Sequence, residues 1–233
     1  MSPARKTSLA AGVLYLLTFV SIPTLFLYGP VRHDPKYILG PGPDTAVFFG
    51  GILEIVVALA VIGTAVALYP VLKRQNEGVA LGFVGARVLE AATIFAGVAI
   101  LLSVVSLRQA GAGAGALVSG QTLAALYDRT FLIGQSFMPA VDDLLLGFLL
   151  YQSRLVPRVL PLLGFFGAAL LVAGDIATLF NLWGSMASLA PLLAIPIALF
   201  EFSLGVYLIV KGFKPVPIIA DYDRSLAAAA AIR

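Results

Sequence analysis

Seven ionisable side chains stand inside otherwise apolar stretches of the sequence: Glu54, Arg87, Glu90, Asp142, Asp143, Asp175 and Glu201. Lipid strongly disfavours charge, so ionisable groups within spans usually face a protein interior or water and mark function. Arg87 and Glu90 are three residues apart, which on a helix puts them on one face within pairing reach. Gln135 precedes Asp142 by seven residues, again on one helical face. Pro139 and Pro196 stand shortly before Asp142 and Glu201, and each leaves a backbone carbonyl without its helical donor. In lipid that carbonyl needs another donor, water or an ion. Six acids against one arginine are strongly negative if all are ionised. Protons on some carboxyls, or water and a cation, must offset the excess. The chemistry suited to such a set is the handling of protons, of a cation, or of a small cationic or amphiphilic molecule. The expected site is Glu54, Arg87, Glu90, Gln135, Asp142, Asp143, Asp175 and Glu201.

Other chemistries lack their residues. The chain has no cysteine, hence no disulfide, thiolate metal site or thiol nucleophile. Its one histidine, His33, lies in a Pro-rich connection, where solvation is the ordinary state, and a lone histidine excludes multi-His metal and haem ligation within one subunit. Every lysine is at a span end or in a loop, so a retinal Schiff base has no partner at depth. No Ser-His or Ser-Lys pair is available for intramembrane nucleophilic attack. Asp142 and Asp143 point about 100° apart on a helix, so they cannot by themselves share a proton as an aspartyl dyad; Asp142 with Asp175 stays open. The run GAGAGAL lacks the lysine of a phosphate-binding loop. No catalytic, cofactor-binding or metal-ligating residue is therefore expected. The leading functional expectation is binding or transport of a small molecule or ion, with proton coupling in one version. A non-transporting structural or regulatory subunit, held together by its buried charges, is the first alternative. A lipid-acting enzyme ranks last, for want of a nucleophile or metal.

The elements that must position these groups follow from composition. Hydrophobic residues make up 60% of the 233 and charged residues 12%, against about 45–50% and 25% in soluble domains. A membrane span needs about 20 mostly apolar residues, and six stretches qualify: 8–28, 45–71, 79–106, 129–151, 160–182 and 189–210. The expected fold is an all-α polytopic membrane bundle. Arg5, Lys6, Lys73, Arg74, Arg154, Arg158, Lys211 and Lys214 fall on one side of it; Arg32, Lys36, Arg108 and Arg129 fall on the other. The basic excess marks the cytoplasmic side, so both termini are expected inside. A cleaved signal peptide over residues 1–28 is the alternative to a first span; against it, the apolar run is long and no small-x-small site follows. The thin basic rim fixes topology and touches anionic lipid rather than nucleic acid. Membrane lipids, a small-molecule or cation ligand and further copies of the chain are the partners to consider. The Gly/Ala-rich connection after the third stretch is expected to be mobile. Residues 1–214 form the bundle, and 215–233 read as a cytoplasmic tail, partly disordered or foreign to the native chain. Tyr28, Tyr37, Tyr69, Tyr127, Tyr151, Trp183 and Phe213, at span ends, read as interfacial anchors.

Two hairpins echo one another. Tyr69 stands twelve residues before LGFVGA (81–86), and Tyr151 twelve before LGFFGA (163–168). Gly82/Gly85 and Gly164/Gly167 would allow close helix approach at matching places. A parallel repeat is one explanation, and chance recurrence of small residues in membrane helices is the other.

The stretches YPVLKRQNEGVALGFVGARVLEA (69–91), LLYQSRLVPRVLPLLGFFGAAL (149–170) and FEFSLGVYLIVKGF (200–213) resemble the bacterial membrane family known as domain of unknown function 4386. The likeness extends through the opening RKTSLAAGVLYLL and covers nearly the whole chain. Its Arg-Val-x-Glu-Ala segment is matched by Arg87, Glu90 and Ala91, and its Ser-Arg-x-x-Pro-Arg turn by Ser153, Arg154, Pro157 and Arg158. Acids in its second and sixth helices are matched by Glu54 and Glu201. Asp143 and Asp175 have no clear place in that pattern. The resemblance implies a compact bundle of six or seven spans in a bacterial cytoplasmic membrane, and no activity.

Overall fold

The computed structural model describes residues 1–42 and 44–231. Among them every regular element is helical. Six segments are long and apolar enough to cross a membrane: Pro3–Leu27, Thr45–Leu72, Glu77–Gln109, Ala114–Ser153, Val159–Leu179 and Leu189–Val210. Even the 21 residues of Val159–Leu179 reach about 32 Å at 1.5 Å each, enough for a hydrocarbon core of about 30 Å. In chain order these are spans one to six.

The helices sort their side chains inside out. Span two turns Phe49, Ile52, Leu59 and Val66 outward and buries Gly50, Gly51, Glu54, Ala58 and Thr64. Large apolar side chains meet lipid at no cost, while small and polar ones permit close packing within. Local chemistry sets the ends. Asn76 caps span three, its side-chain oxygen accepting from the Val79 amide at 3.0 Å. Span four stops at Ser153, where Arg154 takes a left-handed backbone (φ 56°).

Consecutive spans pack side by side, and span one lies against both span six and span two, closing the ring. At the one–six crossing a Cβ on Gly12 would come within 2.7 Å of the Gly205 carbonyl oxygen, so only glycine fits. The fifth and sixth spans also touch backbone to backbone, because a Cβ on Gly167 would meet the Ile197 amide nitrogen at 2.6 Å. The echo of glycines breaks down here. Gly164 and Gly167 face Phe200 and Ile197 closely, whereas Gly82 has only Leu145 at 3.7 Å and Gly85 faces open space.

Several local expectations are corrected. The Gly/Ala-rich connection is short: a helix starts at Leu117, and Ala114–Ser153 forms one 40-residue span. That span is not uniformly α-helical, because Leu132–Phe137 is a π-helical turn. Pro139 and Pro196 do not kink a continuous helix; they stand in the first turn of new α segments, after the π turn and after the 3-10 stretch Gly184–Ala194. The changed winding just before each ring accommodates a proline that an unbroken α-helix would oppose. Within the tail, Pro217–Ala231 is helical and docks on span one. Asp223 accepts from the Ala4 amide at 2.8 Å, and Tyr222 meets Thr7 at 3.0 Å. Residues 232–233 lie outside the described residues.

Candidate functional site

Arg87 is the largest fully buried side chain, with 1% of its surface exposed. Its guanidinium donates to Glu90 at 3.0 Å, to Glu201 at 2.8 Å and to the Tyr15 hydroxyl at 3.1 Å. Spans three, six and one are thereby joined at one point. Span four adds Asp142 and Asp143, with oxygens 3.7 Å and 3.9 Å from the guanidinium, beyond hydrogen-bond length. Asp143 has no hydrogen-bond donor, Asp142 has only the neighbouring Glu90 carboxyl beside it, and Arg87 Nε is also unpartnered. The i, i+3 spacing on one helix brings Arg87 and Glu90 together as the sequence requires. Asp142 and Asp143 sit on adjacent positions yet both face the guanidinium's neighbourhood, because the ring wraps around it.

The group is under-supplied with positive charge. Four carboxyls surround one guanidinium, and two of the four make no hydrogen bond to it. Stable buried charge needs both a partner and hydrogen bonds on its remaining lone pairs. A cavity of about 150 Å³ opens beside the group, lined by Arg87, Glu90, Glu201 and Gln135. Phe19, Ile22, Val57 and Ile94 supply apolar wall, and Thr18 and Ser21 supply hydroxyls. The last two belong to a 3-10 turn that interrupts span one at Thr18–Ser21, so the cavity borders the one irregular stretch of that span.

Glu54 is elsewhere. Its carboxylate, 1% exposed, accepts from Tyr28 at 3.3 Å and Tyr127 at 3.2 Å. The two rings meet edge to face at 5.6 Å. Each has a glycine seat: a Cβ on Gly50 would strike the Tyr28 ring at 2.4 Å, and one on Gly97 would press Tyr127 at 3.2 Å. Arg32 lies over the Tyr127 ring at 5.3 Å and pairs with Asp128 at 2.8 Å. Asp175 is separate as well, accepting from Ser136 at 2.6 Å with its second oxygen unpartnered.

The eight expected residues therefore divide. Arg87, Glu90, Asp142, Asp143 and Glu201 form one group; Gln135 lines its cavity and also lies beside Glu54. Glu54 belongs to a tyrosine-lined pocket, and Asp175 to a pair with Ser136. The eight residues are thus not one contact group, and the reading of Tyr28 and Tyr127 as interfacial anchors is corrected. Both are 1% exposed and hold a carboxylate. The π turn explains Gln135 and Ser136: its wider winding turns consecutive residues toward different neighbours, and such turns recur at functional sites. Gly134, in the same turn, admits Thr93 of span three, because a Cβ there would lie 1.9 Å from the threonine hydroxyl. Tyr15 escaped the sequence reading, although a phenol twelve residues into a span is a signal of interior placement.

The chain belongs to the family described as Domain of unknown function (DUF4386), matching it over residues 10–212. No curated protein and no solved structure matches the chain.

Proposed function

We propose that this member of the DUF4386 family binds a small cationic molecule in the cavity beside Arg87, with Glu90 and Glu201 as its carboxylate contacts. The observation that carries this reading is the combination of a 150 Å³ cavity with four carboxyls around one guanidinium. A cation entering there offsets part of the excess negative charge, protons on the other carboxyls offsetting the rest, and the apolar wall of Phe19, Ile22 and Ile94 suits an organic cation with some hydrocarbon. Gln135 supplies a neutral contact at the edge nearest Glu54. Transport across a bacterial cytoplasmic membrane, with both termini inside and coupling to protons, extends the same reading.

A second reading has its own support. Arg87 ties spans one, three and six directly, which is what a structural ion-pair network would do in a subunit that transports nothing. The two separate on one experiment. The protein is reconstituted in vesicles, and uptake of a panel of small alkylammonium and guanidinium cations is followed with and without a pH gradient. Binding is read in parallel as thermal stabilisation in detergent. The binding reading expects at least one cation to raise the unfolding temperature of the wild type and not of Glu90→Gln or Glu201→Gln. No stabilisation by any member of the panel, and flux unchanged in both variants and in Glu54→Gln, would leave the structural network.

A further inference from the structure

A second opening, unrelated to the polar cavity, lies where the start of span five meets the end of span six. It is an apolar groove of about 480 Å³, walled by Leu160, Phe202 and Val206 and reaching Tyr207 and Lys211. Ser203 lines it between bulkier neighbours and leaves room there. From Phe202 to Lys211 is nine residues, about 14 Å along a helix. That is one leaflet's share of a hydrocarbon core about 30 Å thick. The groove thus runs from the membrane surface to near the midplane, the reach of one acyl chain.

Charge distinguishes its outer end. Span six ends at Val210, so Lys211 stands at headgroup level, and it is the one charged residue among those lining the groove. Among the described residues no carboxylate lies within ion-pair distance of it. The segment beyond is fastened to the same end, because the Lys214 amide donates to the Leu155 carbonyl at 2.8 Å. Arg158 stands between the lining residues Pro157 and Val159. Positive charge without acidic partners at the mouth of a leaflet-deep apolar slot matches an anionic phospholipid, phosphate at the rim and chain within.

We infer that this groove is a binding site for one anionic phospholipid, with Lys211 facing its phosphate and Leu160, Phe202 and Val206 covering one acyl chain. At the inner end Phe202 meets Phe19 edge to face at 5.5 Å, and Phe19 also lines the polar cavity. The seated chain ends against the aromatic pair that separates the two openings.

The test is native mass spectrometry of the full chain in detergent, titrated with phosphatidylglycerol and with phosphatidylcholine of identical chains. The wild type is expected to retain one phosphatidylglycerol in preference to phosphatidylcholine. Lys211→Gln should lower that preference about fivefold, the usual effect of one basic residue at an anionic surface. Val206→Trp, a substitution at a side chain already 37% exposed, should fill the groove and reduce retention of both lipids. Circular dichroism of each variant checks that the fold is kept. Equal retention of the two lipids by the wild type overturns the inference, as does full phosphatidylglycerol retention by a folded Val206→Trp or an unchanged preference in Lys211→Gln.

Discussion

Span three carries a buried arginine, Arg87, and a partly buried one, Arg108, and the charges around them differ. Near its end Arg108 meets a single acid, Asp44, at the entrance to span two. Both oxygens of Asp44 are occupied, one by Tyr37 at 2.8 Å and the other by Gln109 at 2.9 Å together with Arg108. Arg108 also donates to the Gly40 carbonyl at 3.0 Å and lies 5.4 Å from the Tyr37 ring centre. Charges there balance one to one, and the carboxylate is saturated with donors. Deeper in the bundle Arg87 faces four carboxyls, two of them beyond hydrogen-bond reach of it, beside an open cavity. The same residue types thus build a closed staple at one depth and an unfinished site at another. A staple needs no ligand. The excess of carboxyl over guanidinium around Arg87 needs protons, water or a cation to offset it.

The comparison can be broken most severely at Arg87. Arg87→Met leaves three buried carboxyls and the partly buried Glu201 without their cation, and uncompensated buried charge costs about 3–5 kcal/mol. Thermal unfolding in detergent should show a large drop, and an unchanged transition would mean that the cluster does not depend on its arginine.

Asp44→Asn comes next. It removes charge-assisted bonds worth about 1.5–3 kcal/mol together, so the unfolding temperature should fall without any change in cation binding. The staple also predicts a pH response. Burial pushes the Asp44 carboxyl up, but hydrogen bonds from Tyr37, Gln109 and Arg108 and the charge of Arg108 outweigh it and hold it below the usual range. A carboxyl lowered by folding stabilises fully above the unfolded value of about 3.9, and that stability is lost as pH falls through the folded value. Tyr37 works at the other end: burial first, then its bond to Asp44, push its phenol up to about 12. Its contribution is full below the unfolded value of about 10 and is lost as pH rises through 12. Wild type minus Asp44→Asn, measured by unfolding across both ranges, should show both declines; a flat difference would disprove the staple.

Smaller effects sharpen the picture. Tyr127→Phe removes one of two phenol bonds to Glu54, and a loss of about 1 kcal/mol is expected. Asp143→Asn should change stability by no more than about 0.5 kcal/mol, or raise it, because it relieves excess negative charge without breaking a hydrogen bond. A clear destabilisation by Asp143→Asn would show that the Arg87 group is as complete as the staple.

Sequence alone determined the six spans, since apolar length against bilayer thickness leaves little choice. It also determined the Arg87–Glu90 pair, because helical spacing makes residues three apart neighbours. The sequence put every acid on a span, but membership of a span does not say which neighbour a side chain meets. Only the closed ring decided that Glu54 turns to two tyrosines, Asp175 to Ser136, and the remaining acids to Arg87. The π turn at Leu132–Phe137 sets Gly134 against Thr93 across two helices, a contact no local pattern encodes. The mirrored glycines teach the same lesson: Gly167 touches backbone while Gly85 faces open space, because spacing fixes a face and only packing supplies what that face meets.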